Sequence, residues 1–178
     1  MKEKRIDAYT FEEFISTDKI KTRIGEIAVE LRAAYQEKKP IFLVILNGAF
    51  IFASDLMRAY GEDCVVSFVK LSSYDGMDST NKVSVDMGIQ TDITGKDVII
   101  VEDIIDSGTT LDKFLKVVNN KNPKSVKLVS LVVKREAMKY DIPIDYFGFN
   151  IPNDFVVGYG LDYNEYGREL DSLYRLKS

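Results

Sequence analysis

The sequence predicts an α/β fold with a parallel central sheet flanked by helices. Two observations carry this. Three apolar runs, IFLVIL at Ile41–Leu46, VIIV at Val98–Val101 and VKLVSLVV at Val126–Val133, read as strands buried on both faces. Segments with helical spacing lie between them, and strands that alternate with helices pair in parallel. The length, 178 residues, suits one domain over 1–178 with a sizeable core.

Taken in order, Asp18 to Lys39 places Ile20, Ile24, Ile27, Ala28, Leu31 and Tyr35 on one helical stripe, with Pro40 as the expected stop. Ile41–Leu46 is the first buried strand, broken by Asn47-Gly48. A short helix is expected from Phe50 to Tyr60 and a strand from Val65 to Leu71. The stretch SSYDGMDSTNK over 72–82 is polar and has little to bury, so it reads as a long loop. Loops of that length in compact domains are often lids. Val98–Val101 is the second buried strand, Asp106-Ser107-Gly108 turns the chain, and Thr110 to Asn119 reads as a helix. Val126–Val133 closes the series.

Composition excludes several chemistries. There is no histidine, which removes Ser-His-Asp and Cys-His catalysis and every metal site that needs imidazole. A general base near neutral pH must be Asp, Glu, Lys, Tyr or water, and a metal must be a hard cation held by oxygen, which favours Mg²⁺. The single cysteine, Cys64, permits no intramolecular disulfide and reads as a small apolar strand residue. A formal net charge of −4 gives no electrostatic footprint for nucleic acid or an anionic membrane. The N-terminus MKEKR leads into no apolar segment, and the chain is expected to be cytoplasmic.

In parallel sheets ligands sit beyond the carboxyl ends of the strands, so the residues just after each apolar run matter most. After Val98–Val101 stand Glu102, Asp103 and Asp106, then Ser107, Gly108, Thr109 and Thr110. Free N–H groups at a helix N-terminus bind phosphate, and Gly108 lets the backbone approach closely. Adjacent acids accept hydrogen bonds from the hydroxyls of a sugar, or share a cation with them. Together these describe a ribose 5-phosphate site. An acidic cap on an ordinary helix would look the same from spacing alone. The GxxxxGK[ST] pattern of a nucleoside-triphosphate loop is absent.

The segment VIIVEDIIDSGTTL resembles the phosphoribosyl-diphosphate-binding signature of the type I phosphoribosyltransferases. SLVVKR around Lys134-Arg135, FVVG at Phe155–Gly158 and LDYNEYGREL at Leu161–Leu170 resemble the base-binding and hood segments of the hypoxanthine–guanine branch, in the expected order. The resemblance implies a parallel sheet with a small hood built from the terminal segments, and purine salvage. The reaction would be transfer of a phosphoribosyl group to hypoxanthine or guanine, with Mg²⁺ as cofactor and a dimer or tetramer as the assembly. It also implies roles. Glu102 and Asp103 would hold the ribose hydroxyls and, with Asp162, the metal. Asp106 would act as base at N7. Ser107, Gly108, Thr109 and Thr110 would bind the 5-phosphate. Lys134, Phe155 and Val156 would recognise the purine through its 6-oxo group, its ring face and its edge. Asn47, Gly48 and Arg168 would meet the pyrophosphate, and Ser73 and Tyr74 would lie in the covering lid.

One departure stands out. The family often has Leu-Lys-Gly after the first strand, with a cis peptide before the lysine; this chain has Leu46-Asn47-Gly48-Ala49, and Asn47 carries no charge. Lys70, Asp75 and Asp78 read as solvent-facing. Two other uses of the fold stay open at this level. One is a nucleotide- or RNA-binding regulator, which would need a basic face. The other is a phosphate-binding module whose acids hold Mg²⁺ alone, which leaves Lys134 and Phe155 without a role.

Overall fold

A computed structural model describes residues 2–72 and 84–177. The main sheet has six strands in the order β5-β4-β3-β6-β7-β8. These are β3 (Ile41–Leu46), β4 (Val65–Ser72), β5 (Ser84–Met87), β6 (Asp97–Ile105), β7 (Ser125–Val133) and β8 (Tyr146–Asn150). All pair in parallel except β5, which runs antiparallel along β4. The apolar runs occupy the three central positions because only there are both faces of a strand covered. Phe42 and Val44 of β3 and Ile99 and Val101 of β6 pack with α1 (Thr17–Ala34) and α2 (Phe50–Tyr60) on one side. Leu43, Ile45, Val98 and Ile100 pack with α3 (Thr109–Asn119) on the other.

The chain leaves β3 through α2 towards β4 and leaves β6 through α3 towards β7. β3 and β6 are neighbours, so the connections diverge between them. This divergence opens a crevice at the carboxyl edge of the sheet.

A second, four-stranded antiparallel sheet, ordered β1-β2-β10-β9, is built from β1 (Glu3–Ile6), β2 (Tyr9–Ile15), β9 (Val156–Val157) and β10 (Leu173–Leu176). It joins the two ends of the chain, as a hood of terminal segments requires. Among the described residues no helix is long and apolar enough to cross a membrane.

Four elements depart from the sequence expectations. α1 ends at Ala34, well before Pro40; Tyr35 caps it and Glu37 turns left-handed at φ 59°, so a turn rather than proline sterics stops the helix. β6 continues through Ile105, so Glu102 and Asp103 sit on the strand itself and not in the turn after it. The reason is pairing: β7 carries ladder partners for residues as far as Ile105. β5 and β8 were not expected from pattern. The expected lid, with Ser73, Tyr74, Asp75 and Asp78, lies outside the described residues.

Candidate active site

The crevice between β3 and β6 holds a cavity of about 400 Å³. Its walls come from the end of β3 and its following loop, the end of β4, the end of β6, the first turn of α3, and two hood residues, Asp162 and Arg168. Asn47, Gly48, Glu102, Asp103, Asp106 and the run Ser107–Thr110 all line it, as the sequence reading requires.

The loop after β3 shows why glycine stands at 48. A Cβ there would lie 1.5 Å from Oδ2 of Asp103. The hood presses on the same loop from above: a Cβ on Gly160, whose φ is +102°, would lie 2.0 Å from the Gly48 carbonyl oxygen. Three chain segments therefore meet within van der Waals distance at this corner. The Leu46–Asn47 peptide is cis, so the family's geometry is kept although the lysine is not.

At the end of β6, Asp103 is buried, and its Oδ1 accepts the Ile104 N–H at 2.8 Å. Glu102 keeps some access to the cavity but is otherwise enclosed by protein. Burial first, and the Asp103 carboxylate second, hold its carboxyl well above the usual carboxylate range. Gly108 adopts φ +75° as the residue before α3, and its carbonyl accepts the Asp112 N–H at 2.9 Å. The N–H groups of residues 109–111 precede that first helical bond and face the cavity end of the helix. Ser107 and Thr109 hydroxyls lie 3.2 Å apart across the turn. This is a cradle for one phosphate, beside two acids suited to sugar hydroxyls.

The model of the phosphoribosyl transferase domain matches residues 12–164. The chain belongs to the phosphoribosyl transferase family. A hypoxanthine-guanine phosphoribosyltransferase from Dictyostelium discoideum is 41% identical over 171 residues, covering 93% of this chain and 95% of that protein. One from Aquifex aeolicus is 39% identical over 165 residues, covering 92% and 93%. Among solved structures, a hypoxanthine-guanine phosphoribosyltransferase from Bacillus anthracis superposes with a TM-score of 0.88 at 35% identity, covering 94% of this chain and 97% of that one.

In this phosphoribosyl transferase, Asp106 and Lys134 form an ion pair, Oδ2 to Nζ 2.8 Å. The partners differ in exposure: the Lys134 side chain is 8% accessible and that of Asp106 52%. Lys134 is thus tied to the cavity through Asp106 rather than lining it directly. Phe155 and Val156 also lie outside this cavity. Val156 is buried in the hood, and Phe155, 45% exposed, meets Phe11 and Tyr163 with ring centroids 6.3 and 5.8 Å away. The cavity therefore gathers the residues expected to meet the sugar and phosphates, whereas Lys134, Phe155 and Val156, expected to meet the purine, do not line it.

Glu102, Asp103 and Asp162 line one cavity, but among the described residues no three acids come close enough to hold an ion. Arg168 approaches Asp162 Oδ1 at 2.9 Å, and the Glu165 N–H donates to Asp162 Oδ2 at 2.8 Å. β6 supplies Glu102 and Asp103 to this cavity, and the hood supplies Asp162. Sequence reasoning also missed Lys70. It is exposed, yet it lines the cavity from the end of β4. The signal was its place near the carboxyl end of the strand expected at Val65–Leu71. A further unforeseen tie, the Tyr159 hydroxyl donating to Asp55 Oδ2, fastens the hood to α2.

Proposed function

We propose that this chain transfers a 5-phosphoribosyl group from phosphoribosyl diphosphate to N9 of hypoxanthine or guanine, releasing pyrophosphate and the nucleoside 5′-monophosphate. The observation that carries the reading is that Glu102, Asp103, Asp106 and the 107–111 cradle line one cavity, with Lys134 paired to Asp106 behind it.

The cradle holds the 5-phosphate on backbone N–H groups and the Ser107, Thr109 and Thr110 hydroxyls. Glu102 and Asp103 accept from the ribose hydroxyls, which fixes C1′ over the crevice. The bond from C1′ to the diphosphate oxygen breaks as N9 attacks, and the ring proton on N7 passes to Asp106. Proton transfer of this kind contributes about 10²–10⁴-fold. Lysine has three donors, so Lys134 can keep Asp106 and still donate to the 6-oxo group. Phe155 offers its ring face to the purine, and Val156 its backbone to the purine edge. Arg168, Asn47 and Gly48 would meet the departing diphosphate.

The donor set suits Mg²⁺. Every acid in the cavity offers oxygen only, and each oxygen of Asp162 keeps a second lone pair beside its present partner. With no protein-only cage, the cation would be held by Asp162, or by Glu102 and Asp103, together with substrate oxygens. When bound, it neutralises charge on the leaving diphosphate.

Exposed Val66 and Phe68 on β4 and Phe50 at the start of α2 favour a homo-oligomer. Sedimentation would show a dimer or tetramer, and a monomer at micromolar concentration would remove that part.

Product analysis with phosphoribosyl diphosphate, Mg²⁺ and each of hypoxanthine, guanine, xanthine and adenine tests the whole reading. Nucleotide from the first two is expected. No nucleotide from any base refutes it.

A further inference from the structure

The leaving diphosphate is highly anionic, but the cavity as described is a poor electrostatic match for it. Its lining carries four acidic side chains, Glu102, Asp103, Asp106 and Asp162, against two cations, Lys70 and Arg168. Arg168 is already engaged: it approaches Asp162 at 2.9 Å and Glu165 at 3.2 Å, and it donates to the Gly160 carbonyl at 2.9 Å. Asn47, beside the same corner, is neutral. Lys70 makes no hydrogen bond or ion pair with another described residue. It is the one lining cation whose charge is uncommitted there.

Its position explains how it reaches the site. Ser67 and Val69 point into the core from β4, while Val66, Phe68 and Lys70 share the opposite, exposed face. Lys70 is the ladder partner of Leu46, the last residue of β3 before the Asn47-Gly48 loop. The ammonium therefore starts from the strand end next to that loop, on a flexible four-carbon stem that can follow a moving phosphate.

We propose that Lys70 is the diphosphate-binding cation of this chain, supplying from β4 the charge that the β3 loop lacks. The proposal rests on the transferase reading above. It concerns the diphosphate subsite alone, so the purine and the 5-phosphate should not sense it.

Isothermal titration with inorganic pyrophosphate in the presence of Mg²⁺, beside steady-state kinetics, tests this. Lys70→Met should raise the pyrophosphate Kd and the KM for phosphoribosyl diphosphate by about tenfold, the low end for a charged hydrogen bond because Lys70 is exposed. The KM for the purine should change by less than about twofold, since no purine contact is altered. Lys70→Arg should retain affinity to within about threefold. Adding Asn47→Lys to Lys70→Met should recover most of the loss, because a cation at 47 begins at the same corner. Lys121→Met, at the far end of α3, controls for net charge. If the unmodified protein makes nucleotide and Lys70→Met binds pyrophosphate as tightly, the assignment to Lys70 is wrong while the transferase reading stands. If the unmodified protein makes no nucleotide, both fall.

Discussion

Replacing Lys134 by Met separates the roles of the buried ion pair. The pair is asymmetric: Lys134 is almost fully enclosed, and Asp106 is half in solvent at 2.8 Å from it. Methionine fills the lysine stem's volume with little strain. The stranded Asp106 carboxylate regains water. Loss of the pair itself is screened on the exposed side, so folding stability should change by less than about 1 kcal/mol. Asp106→Ala does the opposite. It leaves a buried ammonium without its acceptor and should cost about 1–3 kcal/mol. In activity the order differs. A charged hydrogen bond to the 6-oxo oxygen is worth about 1.5–3 kcal/mol, so Lys134→Met should lower kcat/KM for hypoxanthine and guanine by about 10- to 100-fold. Adenine has a donor at position 6 and cannot use that ammonium, so its residual turnover should not fall. Urea denaturation and kinetics on the three bases measure both halves. An equal loss of kcat/KM on all three bases would refute base recognition by Lys134, and Asp106→Ala stability equal to that of Lys134→Met would refute the asymmetry.

Other outcomes are expected from the same site. Asp106→Asn keeps shape but takes no proton, so kcat should drop by about 10²–10⁴-fold with little change in phosphoribosyl diphosphate binding, read by single-turnover kinetics. Glu102 is held above the usual carboxylate range by burial, so the folded protein loses stability as pH rises through the ordinary carboxylate pKa and up to the raised one. Metal-free Glu102→Gln should lose that slope in denaturation curves taken across the range; an unchanged slope counts against the enclosed acid. Gly160→Ala places a methyl against the Gly48 carbonyl and should cost about 1–3 kcal/mol while raising the KM for phosphoribosyl diphosphate. Chelator should abolish turnover and Mg²⁺ should restore it; full activity without divalent cation would remove the metal from the reading.

Much of the sheet was legible because both-face burial leaves a local mark. Ile41–Leu46 and Phe50–Tyr60 fall where composition alone puts them. The cradle was legible for the same reason: a strand end, a left-handed glycine and a helix start are consecutive in the chain, so Asp106–Thr110 is one local object. The hood strands were less so. Val156–Val157 and Leu173–Leu176 are too short to carry a period, and the pairing of Leu173–Leu176 with β2 spans nearly the whole chain.

By itself, then, the sequence determined which segments become central strands, that no imidazole chemistry is open to the chain, and which consecutive residues form the strand end, glycine turn and helix start of the expected cradle. Each comes from neighbours along the chain or from residues the chain lacks. The tertiary structure decided everything that depends on distance between segments. It joined Lys134 to Asp106 and placed Gly48 under both Asp103 and Gly160. It brought Asp162 from the hood to the cavity that the β6 acids line and turned Lys70 from a surface charge into a wall of that cavity. Strand order causes these differences. β3 lies between β4 and β6, and that adjacency, set by packing of two helical layers on one sheet, is written in no local run of residues.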